Sequence, residues 1–264
     1  MKKQEQILRS WFLYVRKLAS ISITFFVYST LFLKCTQRKE QPRDKNLIDI
    51  SFYLYDIKQA VETLRKDRKL INKVLSSHVN RREILAIGFP EVIRWNGFQD
   101  AIEIMFDKSV YVNYGIGQAD FSIGLFQMKP SFVEHLEHYL ESYPLVIPNS
   151  VAKDIVLRNK EEKDDRRVRI QRLSSTEWQL KYLSVYWYVA NHKFKNITFQ
   201  NNAQRLKFYA TAYNFGFTRP ISQIKNWQTK PLFPYGKNYK KEQVAYSDIS
   251  VHFFNLHSPT FFTN

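Results

Sequence analysis

Three separated fragments of the chain carry residue types that can do acid–base chemistry at one site. The first is Gly-Phe-Pro-Glu at 88–91, in which a single carboxylate, Glu91, follows an apolar run at 84–87. The second, at 121–130, contains a Ser-x-Gly-Leu-x-Gln turn, and the third is Ala-Thr-Ala-Tyr-Asn-Phe-Gly at 210–216. Apolar neighbours can raise the pKa of the Glu91 carboxyl, because burial disfavours its charged form. A glutamic acid that stays protonated near neutral pH can act as a general acid.

The order and wording of these fragments resemble those of the lysozyme-like soluble lytic transglycosylases, which cleave the glycan strands of bacterial peptidoglycan. The resemblance implies a mainly α, lysozyme-like domain with at most a minimal β element. It implies that Glu91 is the catalytic residue and that Ser122 and Gln127 line the sugar cleft. It also implies that Tyr213 approaches the catalytic carboxyl, and that Asn214 contacts the substrate or holds the end of its helix.

The resemblance further implies a reaction that needs one carboxyl group and no cofactor or metal. Glu91 would protonate the oxygen between N-acetylmuramic acid and N-acetylglucosamine, and then take a proton from the 6-hydroxyl as a 1,6-anhydro ring closes. A lysozyme-type hydrolase is an alternative, because an inverting hydrolase uses a second carboxylate beyond a water molecule. Asp120, two residues before Ser122, is the candidate for that second carboxylate.

The chain departs from the family pattern at two places. Val92 follows Glu91 where relatives usually have serine, and Gln127 lies further along the chain than is typical. An insertion at about 95–114 must therefore loop out or reshape the cleft. These departures keep open a catalytically silent protein that binds peptidoglycan through the same cleft. By residue type alone, a surface position at a helix start is the favoured interpretation of Glu91, because the helix dipole favours a negative charge there, and the other two fragments reverse that preference.

Composition favours one helical domain, predicted here as a monomer over residues 48–264. The chain has 264 residues, 44% of them apolar, and only 7 glycines, whereas β-rich folds with many tight turns usually need more. Its net charge of +16 suits an anionic partner such as a cell-wall polymer, a membrane surface or nucleic acid. Nucleic acid is disfavoured, because basic runs are not interleaved with aromatic residues.

The N-terminus predicts export to the cell envelope, either to the periplasm or to a membrane-anchored state. Basic residues precede an apolar run at 18–33, which is the order of a secretory signal. Residues 1–35 can therefore be a cleaved signal, an uncleaved membrane anchor, or a lipoprotein signal that ends at Cys35, the candidate lipidation site. Residues 36–47 are polar and predict a tether.

The spacing of apolar residues predicts helices along the rest of the chain. They are expected at 49–76, 82–95, 129–143, 150–173, 178–192, 203–214 and 244–256, with a shorter one at 100–106. Residues 111–123, which contain two glycines, are expected to form a loop.

Overall fold

The computed structural model describes residues 49–76, 80–95, 101–143, 147, 155–158 and 161–262. The predicted signal or anchor at 1–35, with Cys35, and the tether at 36–47 lie outside these residues. Within the described ranges, none of the helices has the length and apolar character needed to cross a membrane.

The described part of the chain is mainly helical, as the composition predicted. A 3-10 turn at Ser51–Tyr53 precedes eleven α-helices in these residues. They are α1 (Leu54–Lys66), α2 (Arg68–Leu75), α3 (Arg81–Arg94), α4 (Ala101–Tyr114), α5 (Pro130–Ser142), α6 (Glu162–Leu173), α7 (Thr176–Lys193), α8 (Asn202–Phe215), α9 (Ile221–Gln228), α10 (Tyr246–Leu256) and α11 (Ser258–Phe261). Extended pairing in the same residues is limited to two antiparallel bridges, Ile123–Met128 and Phe233–Val244.

Helix α3 lies at the centre of the fold and carries Glu91. Its residues are buried without interruption from Glu83 to Val92, and α1, α7, α8, α10 and α11 all pack against it. A helix that is covered on every side has no polar stripe, which explains why this segment lacks amphipathic spacing. The arrangement fixes the first fragment inside the core and places α8, the helix of the third fragment, beside it.

Gly88 allows α3 to approach its neighbours closely. A Cβ atom at this position would lie 2.9 Å from Cδ1 of Phe126 and 3.0 Å from Cδ2 of Leu183, both closer than side-chain carbons normally come. Phe126 belongs to the second fragment, so a glycine of the first fragment makes room for the turn of the second.

Two buried ion pairs connect the helices around this core. Glu83 on α3 accepts hydrogen bonds from Arg205 on α8, at 3.0 and 2.8 Å, and from the Trp187 indole on α7 at 3.1 Å. Glu137 on α5 accepts hydrogen bonds from Nε and Nη2 of Arg169 on α6, at 2.8 to 3.1 Å. Charged groups are buried at low cost only when they are paired and hydrogen-bonded in this way.

The prediction of one continuous helix at 49–76 is wrong. The chain breaks at Asp67, where the amide nitrogen bonds to the carbonyl oxygen of Leu64 at 3.1 Å. Helix α1 packs against α3, whereas α2 packs against α7, so the apolar stripe serves two partners and the chain must change direction between them.

The predicted insertion is not a loop over its described length. Residues 101–114 form α4, which packs against α6, so the expected loop at 111–123 begins only at Gly115. The Tyr111 hydroxyl donates to Glu134 at 2.7 Å, and Nε of Arg166 donates to the Val112 carbonyl oxygen at 3.0 Å. The helix predicted at 150–173 also starts late, because residues 155–158 are not helical and α6 begins at Glu162.

Candidate functional site

Glu91 lies in the last turn of α3 and is only 4% exposed. A surface position at a helix start is therefore wrong for this residue. Burial raises the pKa of its carboxyl above the ordinary value of 4.5. The position of Glu91 at the C-terminal end of α3 also raises this pKa, because the negative pole of a helix disfavours a carboxylate.

Three side chains from three helices contact the Glu91 carboxyl. Nη1 of Arg94 pairs with Oε2 at 2.9 Å, and Nδ2 of Asn214 donates to Oε1 at 3.4 Å. The Tyr246 hydroxyl, which donates to the Ile87 carbonyl oxygen at 3.2 Å, also lies within reach of the carboxyl. These contacts lower the pKa of Glu91, with Arg94 the strongest of them, but the effect of burial is larger.

The third fragment reaches the site because it ends helix α8. Gly216 closes the helix with a positive φ of 115°, and its amide nitrogen bonds to the Ala212 carbonyl oxygen at 3.0 Å. This end presents the exposed Asn214 to Glu91, while the buried hydroxyl of Tyr213 donates to the Phe126 carbonyl oxygen at 2.9 Å. Tyr213 is close enough to Glu91 for the carboxylate charge to help raise the pKa of the phenol, although burial is the main cause.

The second fragment forms a tight turn. Ile123 and Met128 exchange backbone hydrogen bonds of 2.9 and 3.1 Å around it, and Gly124 has a positive φ of 69°. Gln127 also has a positive φ, 46°, and its amide donates back to the Gly124 carbonyl oxygen at 3.0 Å. Gln127 thus stabilises the turn, and half-buried Ser122 stays outside the hydrogen-bond network of Glu91.

Gln179 on α7 holds this turn in place, and sequence reasoning missed it. Its Oε1 accepts from the Phe126 amide at 2.9 Å, and its Nε2 donates to the carbonyl oxygens of Ile123 and Leu173, each at 2.6 Å. A Cβ on Gly124 would lie 2.2 Å from that same Nε2, so the glycine is required for this contact. A glutamine within a mostly apolar helix was the signal that could have found it.

Asp120 stabilises the start of α5. Its Oδ1 accepts from the Ser131 amide nitrogen at 3.0 Å and its Oδ2 from the Ser131 hydroxyl at 2.9 Å, while Nζ of Lys129 lies 3.4 Å away. The carboxylate satisfies an amide of the first helical turn, which has no partner within the helix. These contacts account for the presence of Asp120 at this position, so a role as second catalytic carboxylate is not needed to explain it.

A cleft of about 430 Å³ opens beside Glu91. Three partners of Glu91 line it, namely Arg94, Asn214 and Tyr246, so the carboxyl lies directly behind the cleft surface. The opposite wall comes from the segment at 227–237, which lies between the helices predicted at 203–214 and 244–256. Neither the turn at 124–127 nor Asp120 contributes to the lining of this cleft.

This wall is aromatic and basic. The ring of Trp227 stacks on Phe215 with centroids 4.2 Å apart, and Nζ of Lys230 lies 5.0 Å from the Trp227 ring centroid. Tyr235 and Lys237, further along the wall, are both exposed. Flat rings and ammonium groups together can bind a saccharide that carries negative charge.

Tyr53, near the start of the described chain, holds the wall segment in place. Phe233 donates its amide to the Val244 carbonyl oxygen at 3.0 Å, and the Tyr53 hydroxyl contacts the carbonyl oxygens of Phe233 and Glu242. Burial raises the pKa of Tyr53 to about 12, so the phenol remains a hydrogen-bond donor at neutral pH. Hydrogen bonds thus hold the chain in place on both sides of the cleft.

The described side chains include no group of three or more histidine, cysteine, aspartate or glutamate residues that could hold a metal ion. Comparisons with protein families, with characterised proteins and with solved structures find no match for this chain.

Proposed function

We propose that this protein is a peptidoglycan lytic transglycosylase with a lysozyme-like domain, in which Glu91 is the single catalytic acid and base. One observation carries the proposal: a carboxyl of raised pKa, buried at a helix end, lies directly behind a cleft of about 430 Å³. The aromatic and basic wall of that cleft suits a glycan strand with carboxylate groups. The contact between the first and third sequence fragments at this carboxyl also supports it.

In this mechanism, protonated Glu91 gives its proton to the oxygen between N-acetylmuramic acid and N-acetylglucosamine. The bond from that oxygen to C1 of muramic acid breaks, and the acetamido group of the same sugar stabilises the cation. The Glu91 carboxylate then takes the proton of the 6-hydroxyl, whose oxygen bonds to C1 and closes the 1,6-anhydro ring. Asn214 and Tyr246 orient the carboxyl, and Glu91 ends the cycle protonated.

A single carboxyl is favoured over the two of an inverting hydrolase. Asp120, the candidate second carboxylate, already accepts two hydrogen bonds from Ser131 and lies beside Lys129. An inverting hydrolase needs its second carboxylate to hold a water across the sugar ring, about 6.5–9.5 Å from the first. We therefore place the lyase reaction ahead of hydrolysis.

A catalytically silent peptidoglycan-binding protein is the second candidate, and the contact between Arg94 and Glu91 favours it. A guanidinium 2.9 Å from the carboxylate opposes protonation of the acid. The net effect on the pKa of Glu91 is nevertheless upward, which supports catalysis.

The proposal extends to the location and partners of the protein. Residues 1–35 would export the chain to the cell envelope as a signal, a membrane anchor, or a lipoprotein signal that ends at Cys35. The domain would then act as a monomer on glycan strands, with its positive charge drawn to the carboxylates of the wall.

The test is mass spectrometry of muropeptides released from purified peptidoglycan by the full chain. Glu91→Gln is the key variant, and Glu141→Gln, on an exposed face of α5, is the matched control. Anhydro-muropeptides from the wild type and the control, but not from Glu91→Gln, are expected. Reducing ends would instead indicate a hydrolase. Sedimentation with the wall without any release would indicate a silent binder.

A further inference from the structure

Arg94 joins the Glu91 carboxyl to the cleft. It lies one helical turn after Glu91, its side chain is 28% exposed, and it lines the cleft wall. Its Nη1 donates to Glu91, whereas its Nε is buried and has no hydrogen-bond partner among the described residues. A guanidinium can donate two parallel hydrogen bonds to one carboxylate, so part of its binding capacity is unused.

Among the described side chains that contact the Glu91 carboxyl, Arg94 is the charged one. Asn214 from α8 and Tyr246 from α10 are neutral, and Tyr213 and Tyr186 behind them are phenols whose pKa values burial raises well above 10. Removal of the guanidinium from Glu91 would leave a carboxylate among neutral groups in a buried site. Such a group takes up a proton.

The open face of the cleft favours an anion close to Arg94. Lys230 and Lys237 line the same cavity, and the residues of the described chain that line it include no acidic side chain. An entering carboxylate therefore meets three cationic groups, of which Arg94 lies next to the catalytic acid.

We propose that Arg94 is a receptor for a carboxylate of the glycan ligand, and that its transfer from Glu91 to this carboxylate causes Glu91 to take up a proton from solvent. This inference rests on the proposed function, since it identifies the part of the substrate that prepares the acid. Charge balances in the exchange: the ligand carboxylate replaces Glu91 as counter-ion of Arg94, and Glu91 becomes neutral by binding one proton. The acid would then form only when an anionic substrate occupies the cleft.

The carboxylate can come from two parts of peptidoglycan. One is the lactyl group of muramic acid in strands without peptides, and the other is the stem peptide, in which the lactyl group is tied up as an amide. Three disaccharides that lack the scissile bond separate these sources. They are N-acetylglucosaminyl-N-acetylmuramic acid, the same disaccharide with an L-Ala-D-Glu stem, and neutral chitobiose.

The experiment is isothermal titration calorimetry of the full chain with each disaccharide, in buffers of different ionisation enthalpy. Such a series gives both the affinity and the number of protons taken up. We expect a carboxylate-bearing disaccharide to bind at least about 10-fold more tightly than chitobiose, and only the charged ligand to cause proton uptake. Uptake should be greatest between the pKa of Glu91 in the free protein and that in the complex.

Two variants separate the roles of the two side chains. Arg94→Gln should lose most of the preference for the charged ligand, leaving only the attraction of Lys230 and Lys237, and should bind it without proton uptake. Glu91→Gln should also lose proton uptake, but should bind the charged ligand at least as tightly as the wild type, because Arg94 no longer has a competing partner. Equal affinity of the wild type for charged and neutral disaccharides would overturn the inference, and this comparison needs no variant.

The outcomes also separate this inference from the proposed function. Anhydro-muropeptide release by a wild type that does not prefer charged disaccharides would leave the lyase intact and remove the role of Arg94. Charge-selective binding with proton uptake, but without release of any muropeptide, would support the carboxylate receptor and reject glycan cleavage.

Discussion

Replacement of Gln179 by leucine should destabilise the domain strongly, although no charge and little volume change. Gln179 is fully buried, and it is the hydrogen-bond partner of backbone groups on two separate segments, the turn and the end of α6. Leucine fills the space but can neither donate nor accept. The effect of the substitution is therefore a direct measure of what these hydrogen bonds contribute.

The magnitude follows from a count of the backbone groups left without partners. The Phe126 amide and the Leu173 carbonyl oxygen each lose the partner that Gln179 supplies, while the Ile123 carbonyl oxygen keeps the Met128 amide at 3.1 Å. A buried polar group without a partner costs about 1–3 kcal/mol, so two such groups give a loss of about 2–6 kcal/mol. That is a large part of the roughly 5–15 kcal/mol by which a typical domain is stable.

Urea denaturation of the full chain, followed by tryptophan fluorescence, measures this loss. Gln223→Leu is the matched control, because the same substitution on the exposed face of α9 should change stability by less than about 0.5 kcal/mol. A loss below about 1 kcal/mol for Gln179→Leu would refute the reasoning, since it would mean that other groups satisfy these backbone atoms. The slope of the denaturation curve should stay constant if only the folded state is affected.

Two further predictions concern the first fragment. The raised pKa of Glu91 means that the folded state binds more protons than the unfolded state above pH 4.5, so wild-type stability falls as pH rises through the folded pKa. The melting temperature of Glu91→Gln minus that of the wild type should therefore increase from acid to neutral pH. A difference that does not change with pH would contradict this. Gly88→Ala should lower stability by up to about 2 kcal/mol in urea denaturation, because overpacking against Phe126 costs about 1–3 kcal/mol and alanine returns about 1. Gly117→Ala, which meets nothing within 4 Å, should not be destabilising, and equal losses at the two glycines would refute the packing argument.

The sequence predicted several helices closely because their apolar spacing is local information. Helix α7 extends the predicted 178–192 by a few residues, and α8 extends the predicted 203–214 by one residue at each end. Helix α4 was mostly missed, since its packing against α6 joins segments that are distant along the chain. The break at Asp67 was missed for the same reason: a continuous apolar stripe does not reveal that its two halves have different partners.

The site was predictable in part. Glu91, Tyr213 and Asn214 come together as expected, because their fragments end helices that pack on each other. The cleft wall at 227–237 was not predicted, since an irregular segment has no periodicity from which to infer its position. Arg94 could have been found: its spacing of three residues from Glu91 on a predicted helix is the spacing of a side-chain pair.

The two departures from the lytic transglycosylase pattern that the sequence resembles are explained by packing. Val92, where that pattern usually has serine, packs in the hydrophobic core, so its side chain belongs to the fold. The described part of the insertion forms α4 and packs against α6. Neither the Val92 side chain nor α4 is among the described contacts of the Glu91 carboxyl, and so neither argues strongly for a silent protein. The contact that opposes catalysis is that of Arg94, because its guanidinium disfavours protonation of Glu91 while burial favours it. Muropeptide release therefore decides whether the protein cuts glycan or only binds it, and proton uptake on ligand binding tests separately whether a ligand draws Arg94 away from Glu91.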